Sequence, residues 1–498
     1  MIIGEERPLL PAREVSEDGD PRDSNDATPA QDVDASSVAD SPIEWPNSFK
    51  WLTIALISFM AFTVTFACLS IMPSANRIIR DLGHGKSNKA ASVLLITVWE
   101  LGEAAGPLFI APLSETFGRY AVLNASNLLF LVANVMTALS TNVPLLITMR
   151  AVTGFAVASN VLNPAIIGDM LVPEQRGKAM TIIVIVPMIA SALGPTVGGA
   201  VADGLGWRQV VWINVVLACV CQIPLFAFFK ETYRASTKQG ARATQCNDCD
   251  EGSGAGAIPQ ATAGKTAMHS FWNSAIRPAS ILCSSRVLVM LCLCHSLDFV
   301  FYYVMVTTLP DILQNVYGQS LSATGLTFIY FTLGSGGGLL FCNVTLDKFY
   351  KNLRDGNQGQ EKPEFRLPLA IVGAFGVPVA VLLYGWTASL HLPLIYLRIS
   401  LLLLGMSTCF SGMSVYTYVV DAFGAYSASA MAGVIVMRSV MGAFVPLITV
   451  PLINAVGYGR GFTALSLASL SLAPIPILVM RYGAVWRLSS KFTRQLAD

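Results

Sequence analysis

Charge is what this chain has least of. Asp, Glu, Lys and Arg make up 13% of its 498 residues, about half the share usual in soluble domains, which excludes an ordinary water-facing protein. Cysteine is present but unpatterned: of ten residues, most fall in apolar runs, where they act as small apolar side chains, and no disulfide framework is implied. Cys246 and Cys249 in "QCNDCDEGSGAGA" have the spacing of half a zinc site. No second Cys or His pair follows, and a closed structural site needs four ligands. No phosphate-cradling loop or Gly-rich dinucleotide turn is present, so ATP-driven pumping has no support. No clustered His and Asp motif marks an enzyme, and neither cofactor nor nucleic-acid partner is expected. The first 45 residues hold no basic start followed by a short apolar stretch, so no cleaved signal peptide is expected and the first apolar run would direct insertion.

Apolar residues, by contrast, are 53% of the chain, and mean hydropathy is +0.57. Twelve runs are long enough to cross a bilayer as helices. They lie near 51–71, 91–113, 120–140, 143–167, 179–201, 208–229, 287–309, 323–346, 367–388, 392–415, 428–453 and 461–481. Their uniform apolarity argues for helices rather than the alternating strands of a barrel. The lipid bilayer is therefore the chain's solvent.

Composition divides the chain further. An acidic tail, 1–48, is poor in aromatics and is expected to be disordered. Residues 49–230 carry six spans, 231–285 a polar linker, 286–484 six more spans, and 485–498 a short tail. "GPLFIAPLSETFGRY" closing span 2 and "GGGLLFCNVTLDKFYK" closing span 8 place Glu115 and Asp347 at corresponding exits. The expected fold is an all-α membrane protein with twelve transmembrane helices in two pseudo-symmetric six-helix halves around a midplane site. Lys and Arg concentrate in the even-numbered loops, the linker and the final tail, which puts both termini in the cytoplasm. The loop between spans 1 and 2, with Arg77, Arg80, Lys86 and Lys89, runs against that bias. "NAS" at Asn124 and "NVT" at Asn343 fall inside spans and are expected to be unmodified.

Within the spans, rare charges stand out. "TVWELGEAAGP" puts Glu100 and Glu103 in span 2, Glu100 about 14 Å deep at helical rise and both on one face. A charge near the bilayer centre costs about 2.5–3.5 kcal/mol, so such groups face a cavity or a partner. Two close carboxylates suit a proton carrier; helix packing, favoured by Gly102 and Gly106, is the alternative. "HSLDFVFYY" in span 7 sets His295 three residues before Asp298, with Tyr302 one turn on. A titrating His-Asp pair is one reading and a packing histidine another. Arg150 in span 4 and Arg438 in span 11 are expected to hold or release neighbouring carboxylates, although no partner for Arg438 is evident. Trp99, Phe301, Tyr302 and Tyr303 are candidates for an apolar or cation-binding wall.

A family resemblance rests on several further motifs. "APLSETFGRY" resembles the loop 2–3 signature of the major facilitator superfamily, with Glu115, Gly118 and Arg119 in its acidic, turn and basic positions. Ala111, Thr116 and Tyr120 depart from it. "MRAVTG" resembles the span 4 motif through Arg150 and Gly154, and "GDMLVPEQRGKAM" supplies Asp169 and Arg176. "ALGPTVGGAVADGLGW" is similar to the span 5 antiporter motif, with Gly194, Pro195, Gly198 and Gly199. The resemblance, from about 50 to 490, is to the twelve-span drug:proton antiporters of fungi, of the multidrug and secondary-metabolite efflux type.

The resemblance implies a monomeric, proton-driven exporter of small, largely apolar organic molecules, with an Arg119–Asp169 latch at the cytoplasmic face. Polyamine or other organic-cation export, proton symport for uptake, and a non-transporting sensor are the alternatives. The plasma membrane is the expected location. "EERPLL", with Glu5 ahead of Leu9 and Leu10, resembles an acidic dileucine sorting signal and keeps the vacuole open. Fluorescence imaging of the tagged Leu9→Ala/Leu10→Ala double variant tests the signal. Relocation from an internal membrane to the cell surface is expected if the signal acts, and unchanged placement dismisses it.

Overall fold

The computed structural model describes residues 42–85, 88–233, 276–360 and 362–488. The sorting signal at Glu5, Leu9 and Leu10, the Cys246–Cys249 pair, most of the linker and the last ten residues lie outside the described residues.

Among the described residues the chain is a succession of helices, eleven of them long and apolar enough to cross a membrane. Spans 1 to 3 are Asn47–Ser70, Lys89–Thr116 and Arg119–Ala138. Span 4, expected as one run, is two shorter helices, Val143–Phe155 and Ser159–Met170, and so supplies the twelfth crossing. Spans 5 and 6 are Pro173–Gly204 and Trp207–Phe228. In the second half, span 7 is Arg286–Asp311, and span 8 joins Leu321–Thr327 to Ile329–Gly356. Spans 9 to 11 are Pro368–Ser389, Leu394–Phe423 and Ser427–Val456, and span 12 joins Tyr458–Leu472 to Ile475–Leu488. Several helices overrun the apolar stretch by a turn or two, because backbone hydrogen bonding continues past the last apolar residue until a turn-forming residue stops it.

The turns explain where helices stop. Gly206 and Gly457 precede spans 6 and 12 at φ 93°, and Gly118 precedes span 3 at φ 90°, a backbone region open to glycine and costly for other residues. Gly206-Trp207 and Gly457-Tyr458 occupy equivalent places in the two halves, so the pseudo-symmetry extends to the hairpins.

Packing relies on backbone approach, as expected where lipid removes most of the hydrophobic drive between helices. A Cβ at Gly102 would collide with the Ala151 carbonyl, and one at Gly154 with the Trp99 carbonyl, so spans 2 and 4 touch along their main chains. Gly198 lies against the Ser70 carbonyl of span 1. Gly199 faces the Leu321 carbonyl and Gly325 the Pro195 carbonyl, which makes the span 5 motif a contact between the halves as well as within one.

The first span begins and the last ends on one face, here the terminal face; the other is the distal face. Hydrogen bonds between the halves run from the middle to the distal face: Ser191–Thr332 at 3.3 Å, Tyr303–Glu100 at 2.5 Å, Asn76–Asp311 at 2.5 Å and Gln314–Pro73 at 3.2 Å. Towards the terminal face, Val184, Ile185 and Ile189 of span 5 are 43–50% exposed. The polar contacts between the halves thus lie at the middle and towards the distal face. Arg77 donates to the Ala202 carbonyl at 3.1 Å, which gives one dissenting basic residue of loop 1–2 a structural reason to be there.

Gly198→Ala is expected to lower the thermal unfolding midpoint of the purified protein, since overpacking typically costs about 1–3 kcal/mol. Gly177→Ala, with nothing within 4 Å of its added methyl, is expected to cause no loss; equal effects of the two would refute this view of the span 1–5 contact.

Candidate functional site

Span 2 starts where the Asn88 side chain accepts from Ala91 N at 3.1 Å and remains helical through Pro107 and Pro112. Its two carboxylates point towards the second half, and each finds a different partner. Glu100, 3% exposed, accepts from the Tyr303 hydroxyl of span 7 at 2.5 Å. Its other oxygen, Oε2, makes no hydrogen bond of ordinary geometry, and besides Tyr303 the donor acting on the carboxyl is the Ser439 hydroxyl of span 11. Glu103 accepts from Trp99 Nε1 at 3.2 Å and lies 3.7 Å from Arg438 Nη2 of span 11. The partner that sequence could not name for Arg438 is therefore Glu103.

Arg438 leads further into the second half. Its Nη1 donates to the Tyr416 hydroxyl oxygen of span 10 at 3.1 Å, and its guanidinium lies 4.2 Å from the Phe299 ring centre. Tyr416 O is in turn 3.1 Å from His295 Nε2. An unbroken polar chain thus runs Trp99, Glu103, Arg438, Tyr416, His295, and crosses from one half to the other.

Three expectations need correcting here. His295 and Asp298 do not form a pair: His295 turns to Tyr416, while Asp298 accepts from Ser411 Oγ of span 10 at 2.5 Å. The i,i+3 spacing places both on one helix face, but span 10 offers each a nearer hydroxyl. Arg150 holds no carboxylate in its hydrogen bonds. It donates to the carbonyls of Ala67 at 3.2 Å and Cys68 at 2.9 Å at the end of span 1 and stacks 4.7 Å from the Trp99 ring centre. Trp99, 1% exposed and edge-on to Phe130 at 6.2 Å, is a support for Arg150 and Glu103 rather than an open cavity wall. Tyr302 is half-buried against Phe331 at 4.9 Å and Tyr303 at 5.1 Å, an aromatic group beside Glu100.

A second cluster occupies the terminal face. Arg119 Nε lies 3.5 Å from Asp169 Oδ2, its Nη1 donates to Ser114 Oγ, and its guanidinium sits 5.0 Å from the Tyr233 ring centre. Glu115, assigned by motif position, is exposed. The acidic group that holds this turn is Glu231, just past span 6, which accepts from Arg119 N at 2.8 Å and Tyr120 N at 3.0 Å. Those are two of the orphan N–H groups of the span 3 helix, and the negative charge suits the helix N-terminus. A Cβ at Gly118 would strike that carboxylate, a second reason for glycine there. Arg176 caps the end of span 4 by donating to the carbonyls of Gly168 at 2.8 Å and Leu171 at 2.9 Å.

The second half has its own cluster, built differently. Arg366, in the turn before span 9, bridges Asp347 at 2.6 Å and Asp421 at 2.8 Å and stacks on Tyr350 at 4.4 Å. Burial disfavours its charge, but hydrogen bonds and attraction from Asp421 and Asp347 outweigh this and raise its pKa above the ordinary value. Sequence reasoning missed Glu231, Arg366, Ser411, Tyr416 and Arg398, the last stacked 5.3 Å from Tyr330 in span 8. "FFKETY" and "PEFRLP" carry charges at span ends and offered a signal for the first two; Tyr416 and Ser411 lie in unremarkable helix and offered none.

Comparison with known proteins agrees with this architecture. The sequence pattern of the Major Facilitator Superfamily matches residues 51–446. An efflux pump, radE, of Floropilus chiversii is 29% identical, over 96% of this chain and 88% of its own. An MFS-type transporter, atr4, of Stereocaulon alpinum is 31% identical, over 93% and 83%. Among solved structures, a D-xylose-proton symporter shares the fold with a TM-score of 0.64 at 16% identity, over 89% of this chain and 98% of that one.

The Glu103–Arg438 pair, half-buried, is open to a stability test, because removing one member strands the other charge, at a cost of up to about 3 kcal/mol. Arg438→Met is expected to lower the unfolding midpoint more than Glu103→Gln/Arg438→Met does. If the double variant is as unstable as the sum of both single changes, the two groups are not coupled.

Proposed function

The chain belongs to the Major Facilitator Superfamily, and from that premise we propose that it is a proton-coupled antiporter exporting small, largely apolar organic molecules. The observation that carries this reading is the placing of Glu100 and Glu103 of the first half against Tyr303 and Arg438 of the second. A proton arriving at either carboxylate changes a bond between the halves, which is what coupling to a conformational cycle requires. The naming of a relative as an efflux pump supports the outward direction.

Glu100 is the group for which proton and substrate compete. Its Oε2 makes no hydrogen bond of ordinary geometry, with the Ser439 hydroxyl close to the carboxyl, and the Tyr302, Tyr303 and Phe331 rings lie beside it. A substrate with a hydroxyl or amine donor on an apolar body matches that surface. Protonated, the carboxyl no longer offers a charged acceptor, so substrate is released. Glu103 has the conformational part: its protonation removes the attraction for Arg438, which keeps Tyr416 and lets the halves separate. Asp298, bonded to Ser411, is a second protonation site along the same cavity.

The terminal face is the cytoplasmic one in this reading, so the cavity receives substrate from inside. The Arg119–Asp169 pair is a latch that holds the loop between spans 2 and 3 against span 4, with Gly194, Pro195, Gly198 and Gly199 the pivot between spans 1, 5 and 8. The carrier works as a monomer in the plasma membrane. Organic-cation or polyamine export is a second reading, favoured by the three cavity carboxylates Glu100, Glu103 and Asp298.

Transport into proteoliposomes under an imposed pH gradient, with a panel of neutral drugs, hydrophobic cations and polyamines, tests the proposal. Gradient-driven movement is expected for wild type. Glu100→Gln is expected to abolish the pH dependence and reduce gradient-driven accumulation at least about tenfold, the scale of one lost charge-assisted hydrogen bond. Movement indifferent to pH in wild type would overturn proton coupling, and a preference confined to polyamines would favour the second reading.

A further inference from the structure

On the distal face the two halves are joined by a pair of side-chain bonds that belong to no motif and touch no part of the central cavity. After span 1 the chain makes a tight turn, Met72–Ser74, and enters a short helix, Ala75–Leu82. Asn76, on the first turn of that helix, donates through Nδ2 to Asp311 Oδ1 at 2.5 Å. Asp311 is the last residue of the span 7 α-helix, which continues as a single wider turn, Ile312–Val316. Such π-type turns are uncommon and are found at functional points of helices. From that turn Gln314 donates back to the Pro73 carbonyl at 3.2 Å, so each half contributes a donor to the other.

A basic side chain shares the site of Asp311. Lys89, the first residue of span 2, lines the same small pocket with Asn76, Ser92, Thr307 and Asp311. The other titratable groups acting on this carboxylate are the Tyr384 and Tyr458 phenols of spans 9 and 12. Asn76–Asp311 is placed where it has most leverage. When two rigid halves rock about contacts near the membrane middle, separation grows with distance from the pivot, and these residues lie at the far end.

We infer that Asn76 and Asp311 form the distal gate: a positioning pair that biases the protein towards the closed-distal state and has to break whenever the carrier opens on that side. The inference deepens the transport reading, and rests on it only for the need to open distally. It makes no use of protons or substrate. The glycine contacts of spans 5 and 8 are apolar and set how closely the halves approach, whereas this pair decides how often they part.

The gate is testable on the full-length protein in nanodiscs, where both faces are accessible and neither substrate nor a pH gradient is needed. A cysteine introduced as Thr307→Cys, one turn below Asp311 and 7% exposed, reports distal opening through its rate of modification by a hydrophilic maleimide. Peptide mass spectrometry distinguishes it from the native thiols. Slow modification is expected with the gate intact, and an increase of up to about tenfold with Asn76→Ala or Asp311→Ala, the change in population that loss of one hydrogen bond brings. The exchange Asn76→Asp/Asp311→Asn rebuilds the bond with donor and acceptor reversed and is expected to return the rate to near its slow value. Unchanged rates in the alanine variants, or an exchange variant that folds with a wild-type unfolding midpoint yet labels as fast as they do, would overturn the gate. Proton coupling stands or falls separately, in the vesicle assay.

Discussion

The ion pair between Glu103 and Arg438, 3.7 Å apart where the two halves meet, is the constraint around which the middle of this molecule is arranged. A charge in the membrane interior is expensive enough that it is retained only with a partner or an aqueous surface. Here the partner is on the other half, and the pair is held further by Trp99 on one side and Tyr416 on the other. The energetic cost of each charge is therefore lowest in one relative position of the halves. Any event that neutralises one member alters that preference, which is how, in the proposed coupling, a local proton transfer would acquire a global consequence.

Other charges have been kept out of that exchange. Arg150 is more deeply buried, at 2% exposure, and its two terminal nitrogens donate to main-chain carbonyls while its plane meets an aromatic face, all within its own half. It ties span 4 to span 1 and Trp99, so it behaves as part of the rigid half. At the terminal face the same division appears: Arg119 with Asp169, and Arg366 with Asp347 and Asp421, each close within one half. The halves are thus internally stapled by charge and joined to each other by a few polar bonds and by glycine-lined backbone contacts. Rigid bodies with sparse polar contacts between them are what a rocking mechanism needs.

Much of this was legible in the residues. Twelve apolar runs, a polar linker and the repeated exit motif are local patterns, and the helices appear where those runs lie. Gly118 at positive φ and the small residues of "GPTVGG" were readable because each has a local steric reason. The three breaks that were not foreseen, in spans 4, 8 and 12, fall at Ala156–Ala158, Phe328 and Ala473–Pro474, where hydropathy stays high while backbone geometry changes. Glu115 was chosen over Glu231 because motif position is a sequence property, whereas capping the start of span 3 depends on span 6 ending beside it.

Sequence by itself determined that the chain crosses a membrane many times as helices, that it has two related halves, and which residues are costly enough in lipid to require explanation. Those follow from period, length and transfer free energy, which act along the chain. Only the tertiary structure decided the partners: Tyr303 for Glu100, Arg438 for Glu103, Tyr416 rather than Asp298 for His295, carbonyls rather than a carboxylate for Arg150. Hydrogen bonds and ion pairs act over a few ångströms. Which groups come within that reach is settled when helices separated by hundreds of residues pack together.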